Sequence, residues 1–432
     1  MSHPSAAALS LRSALLSSLS SGTPDPLQPL PPTISVSSAP AVAPANVDEL
    51  ISHVAAGVSS PEPLVCEAVA ATVLLSSLCL PYSAAASLAL PRALLEPAFR
   101  AAHRKLKALN GLLGGSAGNV LCGALLPATR DCYKLAVLMD EAFGTGASDH
   151  DRLESAVQLM QDTFSKTLND RSEFPILQTA PEPLSASGSK KCLVLAVVNY
   201  LFASYFALNT LRLCKNIQRP VEAKRLHQAV NGLGGKSAML TYRYYTGRLG
   251  MFEDDYDNAE KGLSYAYLNC PPTPAGIANK RRALRYLIPV RMQRGNLPTP
   301  ALLSEYSLDG QFLDIVTGLR TGDLRLFNEG LRANAHAFIK NGTYLLLEKC
   351  KALCYRNLFK RVYLITQRTQ LPLAALTTTF RWLGTDVDHD EVECVLANLI
   401  FRGFVRGYIS HAKRILVLSK KDPFPVSAYA GQ

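Results

Sequence analysis

In the last part of the chain, apolar residues at helical spacing are followed by two short apolar runs. Apolar residues recur every three to four positions over 348–362, in a short segment after Pro372 and over 388–402, which predicts three helices. Two short segments rich in apolar residues, 404–409 and 414–418, predict the two strands of a β-hairpin. Three helices followed by a hairpin are typical of a winged helix, a variant of the helix-turn-helix.

The segment before it shows a repeated pair of helical patterns. Apolar and small residues follow one another at helical spacing at Tyr256, Ala259, Leu263 and Ala266. A second pair has Thr321-Gly322-Asp323 as its turn. Such hairpins resemble tetratricopeptide repeats, which bury their apolar faces by stacking on one another. The predicted fold class is therefore mainly α, a tetratricopeptide-like helical-repeat solenoid capped by a C-terminal winged helix.

Changes in composition divide the chain further. The first segment is rich in Ser, Ala and Pro, and residues 5–22 weakly resemble a transit peptide. No charged residue lies between Glu67 and Arg92, but Pro81 divides this stretch, which therefore predicts two buried helices and no membrane span. We expect these segments: a disordered or weakly helical tail 1–46, a helical region 47–190, the helical repeats 191–343, the winged helix 344–425 and a tail 426–432.

The net charge of +11 favours a polyanionic partner such as nucleic acid or an acidic protein; a soluble basic scaffold that binds neither is the alternative. Over 348–421 there are thirteen basic and six acidic residues. Helical spacing predicts that Lys349, Arg356 and Lys360 share one face of the first helix, while Leu358, Val362 and Ile365 face the core. The candidate nucleic-acid contacts are Lys349, Arg356, Lys360, Arg402, Arg406, His411, Lys413, Arg414, Lys420 and Lys421; a solvated basic face is the alternative.

The charge of the third helix limits how such a module could bind. In helix-turn-helix proteins the helix before the hairpin usually enters the major groove. Here its first half carries Asp388, Asp390, Glu391 and Glu393, which would repel phosphates. We therefore expect contacts to the nucleic-acid backbone, with little sequence preference and a strong dependence on salt.

Motifs typical of nucleotide-binding, catalytic or metal-binding sites are mostly missing from the sequence. Gly232–Ser237 lacks the first glycine of a phosphate-binding loop and follows a helix rather than a strand. The acidic residues around His389 are better explained as the N-terminal cap of a helix than as a metal or acid–base site. The ten cysteines include no CxxC pair. We predict no catalytic residue, no metal and no cofactor.

A second basic cluster lies upstream, at Lys280, Arg281, Arg282 and Arg285. Arg281 and Arg285 are one helical turn apart and could face nucleic acid or an acidic partner; a solvated helix face remains open. We take the cluster as a candidate partner-binding site.

Several blocks resemble a known family over residues 192–425: Thr241–Arg248, Asn279–Arg281, Tyr286–Val290, Tyr344–Lys349, Tyr355–Lys360, Asp390–Cys394, Ala397–Ile400, Gly407–His411 and Ser419–Pro425. They are similar to the PCI-domain subunit of the nuclear transcription-export complex 2, and PCI proteins of COP9-signalosome-like complexes are close relatives of that family. Residues 1–190 match more loosely.

The resemblance implies a non-catalytic subunit with a GANP/Sac-type scaffold and a small acidic Dss/Sem-type subunit as partners. It also implies binding to RNA and DNA with a partner winged helix, through Arg356, Lys360, Lys413 and Arg414, and a role in coupling transcription to poly(A)+ mRNA export. The implied location is the nucleus, at nuclear pore components, with the cytoplasm as a second location. The alternative is a structural PCI subunit of a signalosome-like or proteasome-lid-like assembly.

Overall fold

The computed structural model describes residues 67, 68, 71, 72, 74, 75, 91–113, 121–143, 150–172, 189–226 and 235–425. The predicted tails 1–46 and 426–432, and most of the uncharged stretch between Glu67 and Arg92, lie outside these residues. Contacts divide the chain into two compact units, Met1–Tyr245 and Thr246–Gln432.

The first unit is helical throughout its described part. Its elements are α1 (Arg92–Leu113), α2 (Cys122–Phe143), α3 (Asp151–Leu168), a 3-10 turn (Lys190–Leu193), α4 (Val194–Ala207) and α5 (Leu211–Ala223). Helices α1, α2 and α3 pack on one another, and α4 packs on α2 and α3. A buried polar pair joins two of them, because the Thr163 hydroxyl donates to Oδ1 of Asn110 at 2.7 Å.

One stretch in this unit, Lys190–Ala207, is long and apolar enough to cross a membrane. In the structure 67% of that stretch is buried inside the protein. Packing against α2 and α3 accounts for its apolar character.

The second unit begins with helix pairs. The division between the units falls within α6 (Gly235–Phe252). The helices after it are α7 (Tyr256–Asn269), α8 (Pro274–Gln293), α9 (Pro300–Glu305), α10 (Asp309–Thr321), α11 (Leu324–Ala333) and α12 (Ala335–Asn341). Helix α7 packs along α8, and α10 packs along α11, as antiparallel neighbours joined by short turns.

The predicted turn between α10 and α11 is confirmed and explained by its residues. Gly322 has a left-handed φ of 73°, and an added Cβ would lie 2.5 Å from the backbone nitrogen of Leu358. Asp323 then caps α11, because its side chain accepts a hydrogen bond from the Leu326 N–H at 3.1 Å. Both the backbone conformation and the close approach of the next layer therefore require glycine here.

The winged helix consists of α13 (Tyr344–Lys349), α14 (Lys351–Thr366), β1 (Gln370–Pro372), α15 (Leu373–Trp382), α16 (His389–Phe401), β2 (Gly407–Ser410) and β3 (Ile415–Leu418). Helix α14 packs on α10 and α11, which places this module at the end of the repeats. The predicted fold class, mainly α with helical repeats and a C-terminal winged helix, is confirmed.

The sheet of the winged helix has three strands in the order β1-β3-β2, all antiparallel. Its central strand pairs Leu416 with Leu371 on one side and with Ile409 on the other. Leu371, Leu416 and Leu418 are buried on the inner face. The third strand, β1, was not predicted.

Two details of the first predicted helix were wrong. The chain forms two helices that meet at Cys350, instead of one continuous helix over 348–362. Ile365, expected to face the core, is 82% exposed, and Leu364 beside it is 57% exposed. The last turn of α14 therefore extends beyond the layer that it packs against.

Candidate nucleic-acid interface

The wing, defined here as residues 406–421, carries most of the predicted cations at its surface. Lys413, Arg414, Lys420 and Lys421 are exposed, and none of them is paired with a carboxylate among the described residues. The short loop between β2 and β3 holds the first two, and the other two follow β3. The structure thus places uncompensated positive charge at both ends of the hairpin.

Arg414 is held at the tip by its backbone. Its φ is 51°, in the left-handed region that bulky residues rarely adopt. Its N–H donates to the carbonyl of His411 at 3.1 Å, and its own carbonyl accepts from the Leu373 N–H at 2.9 Å. These two bonds maintain a conformation that costs about 1–2 kcal/mol for a residue with a Cβ.

Two other wing residues are exposed and lie beside carboxylates. Arg406 lies 3.6 Å from the Asp422 carboxylate, with both side chains more than half exposed. Nδ1 of His411 lies 2.8 Å from the Glu393 carboxylate of α16. The Arg406–Asp422 pair is exposed and contributes little to stability, so Arg406 can still reach a ligand. The His411 side chain is exposed, but its partner Glu393 is only 18% exposed.

Arg356 is not at the surface, and its prediction as a nucleic-acid contact was wrong. The residue is 4% exposed. Its Nη2 donates to the carbonyl oxygen of Phe424 at 2.7 Å, and Nη1 donates to Oδ1 of Asn357 at 2.7 Å. Burial of the side chain in α14 leaves no room for a phosphate, and the guanidinium anchors the chain after β3.

Lys349 also differs from its predicted role. It belongs to α13, so it does not share a helix face with Lys360 of α14. Its Nζ contacts both carboxylate oxygens of Asp254 at 2.6 and 2.7 Å, and the Tyr256 hydroxyl donates to the same carboxylate at 2.6 Å. These hydrogen bonds, from Lys349 first, lower the pKa of Asp254. Lys349 therefore links the winged helix to the turn before α7.

The remaining two predicted contacts are partly buried. Lys360 is half-buried on α14. Arg402 follows α16 and has its guanidinium 5.5 Å from the ring centre of Phe404. Its positive charge also opposes the burial effect that raises the pKa of the Cys350 thiol to about 12.

The acidic start of α16 is a helix cap, as the sequence predicted. The Asp388 side chain accepts from the Glu391 N–H at 2.7 Å, and the Glu391 side chain accepts from the Asp388 N–H at 3.2 Å. This reciprocal pair satisfies two free backbone amides and places negative charge at the positive end of the helix dipole. The helix that would enter a major groove therefore presents carboxylates there.

Two exposed arginines near the end of α14 were not among the predicted contacts. Arg361 lies on the helix and Arg368 follows its C-cap, Gln367, and the two flank the exposed Leu364 and Ile365 in the sequence. Their charge was visible in the sequence, but the prediction that Ile365 faces the core drew attention away from this side of the helix. Tyr408 of β2 was also not predicted as a contact, and it is 63% exposed.

The upstream basic cluster lies on α8, which carries two sets of cations with different partners. In its last turns Arg291 and Arg294 donate to the Glu260 carboxylate of α7 at 3.0 and 2.8 Å. In its middle turns Lys280, Arg281, Arg282 and Arg285 have no carboxylate partner among the described residues. Arg281 donates to the carbonyl of Ser307 at 2.9 Å, and Lys280 lies 5.7 Å from the Tyr267 ring centre.

A cavity of about 250 Å³ lies between α7, α8 and residues 296–302. Its polar lining includes Glu260 and Arg291, which bind each other, and Arg291 also donates to the Ser264 hydroxyl at 3.2 Å. The polar groups that converge there therefore already form an ion-pair network that joins two helices.

Comparison with known proteins supports the same module. Residues 331–420 match the family model of the PCI domain. Enhanced ethylene response protein 5 of Arabidopsis thaliana is 34% identical over 303 residues, which are 68% of this chain and 68% of that protein. The chain belongs to the PCI domain family. The match to the family model begins at Leu331 in α11 and covers the last repeat helices and the winged helix.

Other PCI relatives align over a shorter part. PCI domain-containing protein 2 of Danio rerio is 42% identical over 238 residues, and its homolog in Dictyostelium discoideum is 41% identical over 238 residues. The aligned part is 55% of this chain and 58% and 54% of those proteins, respectively. The chain thus spans little more than half the length of these two relatives. The matched family and these relatives' names describe no enzymatic activity.

Proposed function

We propose that this PCI protein is a non-catalytic scaffold subunit that binds the backbones of RNA and DNA through its wing, together with a partner winged helix. The supporting observation is the set of exposed, uncompensated cations at the wing, Lys413, Arg414, Lys420 and Lys421. The capped, acidic N-terminus of α16 disfavours base reading in a major groove. Binding through phosphates alone carries little sequence preference.

We infer further that the subunit acts in a nuclear mRNA-export complex that couples transcription to poly(A)+ mRNA export at the nuclear pore. The proposed partners are a GANP/Sac-type scaffold subunit, a small acidic Dss/Sem-type subunit and nuclear pore components. Relatives named PCI domain-containing protein 2 support a PCI scaffold role. The cations at residues 280–285 of α8 have no carboxylate partner among the described residues and share their helix with the exposed Ile277, so they suit an acidic partner with apolar side chains.

The binding proposal is tested by charge reversal in the full chain. Lys413→Glu with Arg414→Glu should lower affinity for RNA and duplex DNA by at least about tenfold at low salt and flatten the salt dependence, since each lost phosphate contact removes about 0.9 from the slope for duplex DNA and about 0.7 for a single strand. Arg332→Glu with Lys340→Glu is the matched control, because it makes the same change of charge on exposed repeat residues. Equal affinities of the two double variants would contradict the proposal.

The assembly proposal is tested by purification of the tagged chain from cells. A large scaffold with its own winged helix, together with pore proteins, supports the export complex. Recovery of signalosome-like or lid-like subunits instead would favour the structural alternative. Charge reversal at Arg281 and Arg282 should then reduce recovery of the small acidic subunit and leave nucleic-acid binding by the wing unchanged.

A further inference from the structure

The register of the wing sheet places one aromatic side chain on its outer face. Directly opposite residues of an antiparallel pair have their side chains on the same face. Tyr408 lies opposite Val417, and Val417 lies opposite Gln370, so these three form one row across the sheet. The neighbouring row, Leu371–Leu416–Ile409, belongs to the inner face.

The outer row is open to solvent in the described structure. Tyr408 is 63% exposed, Gln370 is exposed and Val417 is half-buried. Inner-face Leu416 is completely buried by comparison. The sheet therefore has a solvent-accessible outer row with an aromatic ring on its edge strand, β2.

Positive charge lies at both ends of this face. Lys413 and Arg414 are in the loop that follows β2, about 7 Å or more along the strand direction from Tyr408. Arg406 directly precedes β2, and Lys420 follows β3 at the same end. Two carboxylates near the hairpin, Asp422 and Glu393, already lie beside Arg406 and His411.

We propose that this outer face binds a single strand of nucleic acid, with one base stacked on Tyr408 and the flanking phosphates on Lys413, Arg414 and Arg406. An aromatic ring between cations is the arrangement that single-strand binders use, because every base has a π-face and every linkage carries a negative charge. A duplex hides its base faces and could contact only the cations. The inference rests on the proposed nucleic-acid binding and specifies its substrate as single-stranded.

The test compares full-length variants on a short oligouridylate strand, an RNA duplex of the same length and an abasic strand of the same charge. Tyr408→Ala should lower affinity for the oligouridylate about tenfold and change affinity for the duplex and the abasic strand less than about twofold. Tyr408→Phe keeps the ring and should retain binding. Circular dichroism of each variant checks that the sheet has formed.

The outcomes separate this inference from the function on which it rests. Equal losses on single strand and duplex would show that Tyr408 does not stack on a base, and would overturn the inference. The inference would also be overturned if Tyr408→Ala changed no affinity while Lys413→Glu with Arg414→Glu lowered it. In that case the proposed binding of nucleic acid by the wing cations would survive without the stacked base. If the double charge reversal also has no effect, both proposals fail.

Purification of the tagged chain from cells tests a protein partner. If Tyr408→Ala loses a co-purifying protein while its affinity for the oligouridylate is unchanged, the outer face binds a protein and the inference is overturned. The expected pattern, a loss confined to single strands that carry bases, cannot be produced by a general loss of positive charge. It also cannot result from unfolding of the sheet, which would reduce binding to all three probes.

Discussion

The guanidinium of Arg356 donates a hydrogen bond of 2.7 Å to the carbonyl oxygen of Phe424, 68 residues further along the chain. The Phe424 ring is buried against Tyr363, at 5.8 Å between ring centres. The segment after β3 is thereby fastened onto α14. A cation that looks like a ligand contact in the sequence is a structural anchor.

Replacement of this anchor should cost stability and leave binding intact. Arg356→Ala removes a charge-assisted hydrogen bond from a buried site, so we expect a loss of about 2–3 kcal/mol in the free energy of unfolding. Arg361→Ala, on the exposed side of the same helix, should stay within about 0.5 kcal/mol of the wild type. Urea unfolding measures both. A drop in RNA affinity of folded Arg356→Ala would contradict this assignment.

Arg414 combines a strained backbone with an exposed charge. A glycine at this position should affect protein stability and RNA affinity in opposite directions. Arg414→Gly should relieve about 1–2 kcal/mol of left-handed strain against about 0.5–1 kcal/mol of added backbone entropy, so stability should rise slightly while RNA affinity falls. Lys413→Gly should lower both stability and RNA affinity, because Lys413 has no positive φ and glycine therefore relieves no strain there. Thermal unfolding and fluorescence anisotropy measure the two effects. Destabilisation by Arg414→Gly would be inconsistent with the strain.

The contact between Lys349 and Asp254 predicts a pH dependence of stability. Hydrogen bonds from Lys349 and Tyr256 hold the pKa of Asp254 below its ordinary value of 3.8. A lowered carboxyl pKa gives stabilisation that is complete above the ordinary pKa and is lost as the pH falls through the lowered one. Asp254→Asn keeps the preference for its positive φ of 60° and should flatten the loss of stability below about pH 4.

The control for this experiment is Asp314→Asn, which changes an exposed aspartate with no ion pair among the described residues. Its stability should fall with acid as that of the wild type does. If Asp254→Asn and the wild type lose the same free energy of unfolding between about pH 6 and pH 3, the contact does not contribute as the geometry indicates.

Cysteine labelling tests the packing between the repeats and the winged helix. Burial raises the pKa of the Cys350 and Cys354 thiols to about 12, so neither forms the reactive thiolate at neutral pH. Cys394 is exposed on α16. Maleimide should modify Cys394 in the native protein and reach the other two only after denaturation, as mass spectrometry would show. Native labelling of Cys354 at the rate of Cys394 would refute this packing.

Local patterns were sufficient for most elements of the winged helix and the repeats. The capping residues Asp323 and Asp388, the turn at Gly322 and the hairpin all depend on residues within a few positions of one another. Strand β1 could not be predicted, because three residues have no period of their own and become a strand only by pairing with Val417, Leu416 and Ile415.

The amino-acid sequence by itself determined the helical architecture, the basic character of the wing and the acidic cap of α16, because each follows from composition or short-range spacing. Only the tertiary structure decided which cations are available. Arg356, Lys349 and Arg414 look alike in the sequence, yet one is buried under Phe424, one is paired with Asp254 and one is exposed at the wing tip. The physical reason is that the partner of a charge comes from residues far away in the chain, and spacing along a helix does not reveal it.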